Sequence, residues 1–153
     1  MNQDEKATNY ETLTHISNVR NAANEVVNRL HKRASEHDKS KLEEPELAPF
    51  VKMTPLLAQT TYGSDEYEKM LEELKPALAH HYAKNAHHPE HHKEGVSDMT
   101  LIDLMEMLCD WKAATMRHND GNIRKSIEVN GKRFKINSQL IKILENTVKE
   151  MGW

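Results

Sequence analysis

TLIDLMEMLCDWKAATMRH, residues 100–118, is the stretch on which the fold class turns. Leu101, Leu104, Met105, Leu108, Trp111 and Thr115 recur at three- and four-residue intervals, the period of an α-helix with one apolar face. Thr100 followed three residues later by Asp103 has the spacing of a capping pair, so a long helix is expected from Leu101 to about His118. Asp103, Glu106, Asp110 and Arg117 form a second stripe on the same helix. Asp110 stands between Cys109 and Trp111, at the edge of the apolar face. A carboxylate partly withdrawn from water needs a partner, and a metal ion or Arg117 would each serve.

Just upstream lies HHYAKNAHHPEHH, residues 80–92, with six of the chain's ten histidines. Pro76 is expected to kink or restart a helix that begins at Asp65 behind a Ser64 cap. That helix would carry Leu78, His81, Tyr82 and Asn85 and stop before His88-Pro89, because a residue preceding proline is biased away from helix. HKEGVSD then reads as loop. Further upstream, Pro45, Pro49 and Pro55 are expected to divide their segment into short helical pieces and turns. A first helix is expected from about Thr8 or Asn9 to Ala34, with Ile16, Val19, Ala22, Ala23, Val26, Val27 and Leu30 on an inward face. Downstream, Asn119-Asp120-Gly121-Asn122 marks a turn. SIEVNGKRFKI can be helix or an Asn130-Gly131 hairpin, and its helical surroundings favour helix. Asn137 or Ser138 caps a last helix carrying Leu140, Ile141, Leu144 and Val148.

The whole is an all-α chain of 153 residues with the size of one domain, a core over about 8–118 and a helical segment over about 122–153. Five glycines, five prolines and 5% aromatic residues suit helix over strand. A net charge of −3 argues against general nucleic-acid binding. The single Cys109 excludes an intrachain disulfide framework and suits a reducing compartment. No leader-like or membrane-length apolar run is visible, so a soluble cytoplasmic protein is expected, without membrane association. Met99, Met105 and Met107 suit core packing, though a Met-rich face also suits a homo-oligomer contact.

Several residue types here are metal ligands elsewhere. His15 precedes Val19, Ala22 and Val26 by four, seven and eleven residues and so shares their face, as a hydrogen-bonded core residue or as a ligand. His31 is turned about 160° away from His15 and is set aside. His37 and Asp38 are adjacent, and at a turn both can approach one ion. Lys41, three residues after Asp38, is either part of a solvated charge run or a cation aimed at a phosphate. His81, Asn85 and His88 are spaced four and three residues apart, and imidazoles suit zinc, iron, manganese, nickel or cobalt. Six histidines exceed the needs of one ion, and His81 and His88 are ranked ahead of His80 and His87 as ligands.

In order, His15, His37-Asp38, the histidine run and Asp110 resemble the H…HD…D signature of the HD-domain superfamily of metal-dependent phosphohydrolases, an all-α fold. HDKSK resembles its HD-x-x-K form. HHYAKNAHHPEHH and MLCDWKAAT resemble an uncharacterised HD-like family met in bacteriophage and bacterial genomes, which would put the protein in a host cytoplasm. The resemblance implies a metal held by His15, His37, Asp38 and Asp110, and a second one where extra histidines such as His81 and His88 lie between HD and the last Asp. One or two divalent ions (Mn, Zn, Fe, Ni or Co) are then expected. Asp38 and Lys41 would act in catalysis, and Lys41, His80, Asn85, His87 and His91 would face a small phosphoester. The same ligand types also serve HD-like di-iron oxygenases, and a non-catalytic accessory protein with a structural metal is a third outcome.

Overall fold

A computed structural model describes residues 2–57, 60, 65–117 and 121–153, without the side chains of 57 and 66–68. Among the described residues there are α-helices and short 3-10 turns and no strand, so the chain is all-α. It divides into two compact units, Met1–Ser35 and Glu36–Trp153. The expected Ser64 cap, the end of the long helix at His118, and Asn119-Asp120 of the expected turn lie outside the described residues.

Helix α1, Gln3–Glu36, makes up the first unit but for its last residue, Glu36, which opens the second. It starts earlier than its apolar period suggests because Asn2 and Glu5 cap it reciprocally. The Glu5 amide donates to Asn2 Oδ1 at 2.8 Å and the Asn2 amide to Glu5 Oε2 at 2.7 Å. The face expected to point inward does not: no residue of α1 is buried.

In the second unit a 3-10 turn, Lys39–Leu42, leads to α2, Leu47–Leu57, and α3, Asp65–Lys84. α2 runs through Pro49 and Pro55, expected to divide their segment, and α3 continues through Pro76 as one helix rather than restarting there. Pro49 sits in the first turn of α2, where an amide has no helical acceptor to lose, and Pro55 near its end removes one bond only. α2 lies against α3, and Met53, Leu74 and Ala77 are buried. The histidine run leaves α3 after Lys84 and continues as 3-10 turns at Pro89–His91 and Gly95–Asp98 where plain loop is expected.

Helix α4, Leu101–Thr115, opens on the complete Thr100/Asp103 capping box. α5, Ile123–Arg133, resolves the Asn130-Gly131 ambiguity as helix, and Asn137 caps α6, Ser138–Glu150. Met107, Leu108 and Trp111 of α4, Ile123 and Ile127 of α5, and Leu144 and Val148 of α6 form one buried core, with Met99 packed against it. The C-terminal segment thus shares its core with α4. Trp111 and Leu108 turn one side of α4 into that core, while Glu106 and Asp110 leave by another.

Candidate metal centre

His37 and Asp38 reach the same place because the backbone turns sharply between them and the 3-10 turn. Asp38 takes the left-handed conformation (φ 56°, ψ 12°), which a short polar residue tolerates better than most. From α3 comes His81, from the segment after it His87 and His88, and from α4 Asp110 and Glu106.

Two sets of donor atoms converge. Asp38, His81, His87 and His88 form one, and His37, His87 and Asp110 the other; within each set the donors lie within 4.8 Å of one another. In the first, Asp38 Oδ1 is 3.2 Å from His81 Nε2 and 3.6 Å from His87 Nε2, and the Nε2 atoms of His81 and His88 are 3.0 Å apart. In the second, His37 Nε2 is 3.5 Å from Asp110 Oδ1, and 3.6 Å from Asp38 Oδ2. Ligands at 2.0–2.2 Å from a tetrahedral ion are about 3.4 Å from each other. The rings stack around the point, with centroids 4.3 Å apart for His37 and His87 and 4.1 Å for His87 and His88.

Two buried glutamates turn the imidazoles the right way. Glu46, fully buried, accepts from His81 Nδ1 at 2.9 Å, His80 Nδ1 at 2.7 Å and Ser40 Oγ at 3.0 Å. Glu106 accepts from His37 Nδ1 at 2.9 Å and lies 3.3 Å from His87 Nδ1. A carboxylate only accepts, so the nitrogen bonded to it carries a proton, and it is the Nε2 atoms of His37 and His81 that face the centre, free to bind an ion once they give up any second proton. Carboxylates behind ligating histidines are the usual outer shell of a metal site. Asp38 Oδ1 and His87 Nε2 are shielded from solvent yet make no hydrogen bond. Such buried polar atoms are costly unless something pairs with them. Mixed imidazole and carboxylate donors fit zinc, manganese, iron, nickel or cobalt, so the residues present suit a transition-metal ion.

The charges are tuned accordingly. The Asp110 hydrogen bond, then that of Glu106, raises His37 from 6.5 to about 10. Burial, then the neighbouring His87 and His81, pushes His88 down to about 3. Burial works to raise Asp38, but His81 and Lys41 outweigh it and hold the carboxyl well below its ordinary range. Asp110 is lowered in the same way, His37 overcoming burial.

Of the residues singled out from sequence, His37, Asp38, His81, His88 and Asp110 come together here. His87, expected to face substrate, is instead 1% exposed and belongs to both donor sets. Lys41 Nζ sits 2.6 Å from Asp38 Oδ2 and 5.2 Å from the centre of the Phe50 ring. His80 is held by Glu46, Asn85 Nδ2 donates to Ser40 Oγ at 2.9 Å, and His91 Nδ1 donates to the Tyr82 carbonyl at 2.7 Å. His15 lies exposed on α1, whereas both donor sets are built from residues of Glu36–Trp153. Asp110 pairs with His37. The sequence reading missed Glu46 and Glu106. Glu106 had a visible signal, four residues before Asp110 on the same stripe; Glu46, between Pro45 and Leu47, had none.

A family model described as a family of unknown function (DUF5662) matches residues 4–150. No curated protein and no solved structure matches the chain.

Proposed function

The chain belongs to the DUF5662 family, whose function is unknown, and from the chemistry of its own cluster we propose a metal-dependent phosphohydrolase acting on a nucleotide or related phosphoester. The observation that carries this reading is the spacing of the first donor set, 3.0 to 3.6 Å between the measured pairs, which is the edge length of a coordination shell. The resemblance of His37-Asp38 and Asp110 to the HD signature supports the phosphohydrolase class. An ion held there by Asp38, His81, His87 and His88 would supply Lewis acidity toward a phosphoryl oxygen and toward water.

The chain's own residues do the rest. Asp38 turns one oxygen to His81 and His87 and the other to His37 and Lys41, so it ties the two donor sets together. Lys41, whose side chain is 35% exposed, sets a cation beside that carboxylate where a phosphate oxygen can reach it. His80, 34% exposed and bonded to Glu46, can offer a proton to a leaving oxygen.

A second reading rests on the donor count: His37, His81, His87, His88, Asp38 and Asp110 make four histidines and two aspartates. That set also suits an HD-like di-iron oxygenase. Metal content separates the two, measured by inductively coupled plasma mass spectrometry on untagged protein that has never met a nickel column. One or two Mn, Zn, Ni or Co ions per chain, followed by phosphate release in a nucleotide screen, support the hydrolase. About two irons and oxygen consumption would replace it with the oxygenase. No metal, and none taken up from a divalent panel, would leave a helical binding protein.

A further inference from the structure

Helix α1 carries Ile16, Val19, Ala23, Val26 and Leu30 at alternating three- and four-residue steps, the spacing of a seam between paired helices. That seam stands in water. Ile16, Val19 and Val26 are each 54% exposed. At 34 residues the helix is about 51 Å long. Isolated exposed apolar residues are ordinary, but a continuous strip of them on one helix marks a contact surface.

The charges along α1 say what fits it. Residues 3–19 hold Asp4, Glu5 and Glu11 against Lys6, whereas residues 20–36 hold Arg20, Arg29, Lys32 and Arg33 against Glu25 and Glu36. The occupant must present an apolar strip of the same pitch with the opposite charge gradient. A second α1 running antiparallel has both; a parallel one would set acid against acid and base against base. We propose that a second copy of this chain covers the strip, the two α1 helices pairing antiparallel about residue 21. Ile16 then faces the partner's Val26, and Val19 the partner's Ala23. The pairing is argued from α1 alone.

The test uses the full chain. Light scattering behind size exclusion at about 100 μM is expected to give twice the 17.7 kDa chain mass. The double variant Val19→Glu/Val26→Glu, with unchanged helical circular dichroism, should return to the single-chain mass. Direction is read by cysteine cross-linking in a Cys109→Ser background: Ile16→Cys/Val26→Cys should form a covalent dimer under mild oxidation, and Ile16→Cys alone should not. A wild-type monomer would overturn the proposal, as would a trimer or larger species, or a covalent dimer from Ile16→Cys alone, which marks a parallel pair. Should the glutamate variant lose helicity, the wild-type mass and the cross-linking pattern decide between these outcomes.

Discussion

Asp38 is the residue on which the candidate centre depends most, because its two oxygens serve different partners, His81 and His87 on one side, His37 and Lys41 on the other. Its left-handed backbone costs on the order of 1 kcal/mol, a strain retained where the resulting geometry is used. Asp38→Ala and His37→Ala should each abolish stoichiometric metal, while His31→Ala, on an exposed position of α1, should retain it; equal retention in all three would remove the cluster as the binding site. Glu46→Ala should weaken metal binding by about 10- to 100-fold, the usual effect of losing an outer-shell carboxylate. A competition titration against a chromogenic chelator measures it, and Glu46→Gln, which still accepts one hydrogen bond, should recover part of the loss. The pH dependence follows from His37. In the ion-free protein it keeps its proton up to about pH 10, so at pH 8 metal uptake through Nε2 must expel that proton. Calorimetry in buffers of different ionisation enthalpy should report about one proton released and an affinity that climbs about tenfold per pH unit between 7 and 9. Without metal the sign reverses for stability. A raised histidine stabilises fully below its unfolded value of about 6.5, and that contribution fades as pH rises toward 10. No buffer dependence of the binding heat would exclude His37 as a ligand.

Helices α4 to α6 were largely legible in the sequence because each carries both a period and a cap. Thr100 with Asp103, and Asn137 before Ser138, announce their helices by side-chain chemistry that needs no tertiary context. Thr100→Ala should cost about 1 kcal/mol in the urea midpoint, and Thr100→Ser much less. Pro49 and Pro55 misled, since a proline in a first turn, or near a helix end, loses little. Gly131 was ambiguous as a letter, and packing explains it: a β-carbon there would lie 2.6 Å from Ile141 Cδ1, so glycine leaves room for the tip of the Ile141 side chain between α5 and α6. Gly131→Val should destabilise by about 1–3 kcal/mol through overpacking, with metal content unchanged because the contact belongs to the α4–α6 core. A glycine needed for close approach looks, in one sequence, like a glycine needed for a turn. The inward face assigned to α1 failed for a related reason. Periodicity reports that a helix has an apolar face and is silent on what covers it.

At the scale of the whole chain, the candidate centre joins parts that the apolar core leaves to themselves. The α4–α6 core holds Met107 to Val148, and α2 and α3 bury Met53, Leu74 and Ala77. Residues 37–46, 81–88 and 106–110 meet through the polar cluster, at His37–Glu106, His81–Glu46 and His87–Glu106. The ligands were legible as types and only partly as positions. Helical spacing ranks His88 ahead of His87 only if the helix continues past Lys84, and there the chain leaves the helix and brings both neighbours inward. An ion there would pair with Asp38 Oδ1 and His87 Nε2 and fasten the turn before Lys39–Leu42 to the segment after α3. Metal should therefore stabilise beyond its local contacts: at about a thousandfold excess over the dissociation constant the gain is about 4 kcal/mol. In a domain of this size that is a rise in melting temperature of about 10 °C or more. Differential scanning calorimetry of chelator-treated and metal-reloaded protein measures it, with Asp38→Ala as the control that should not respond. A wild-type transition unmoved by every divalent ion tried would mean that the buried histidines and carboxylates satisfy one another, and that the cluster is a structural hydrogen-bond network rather than a metal centre.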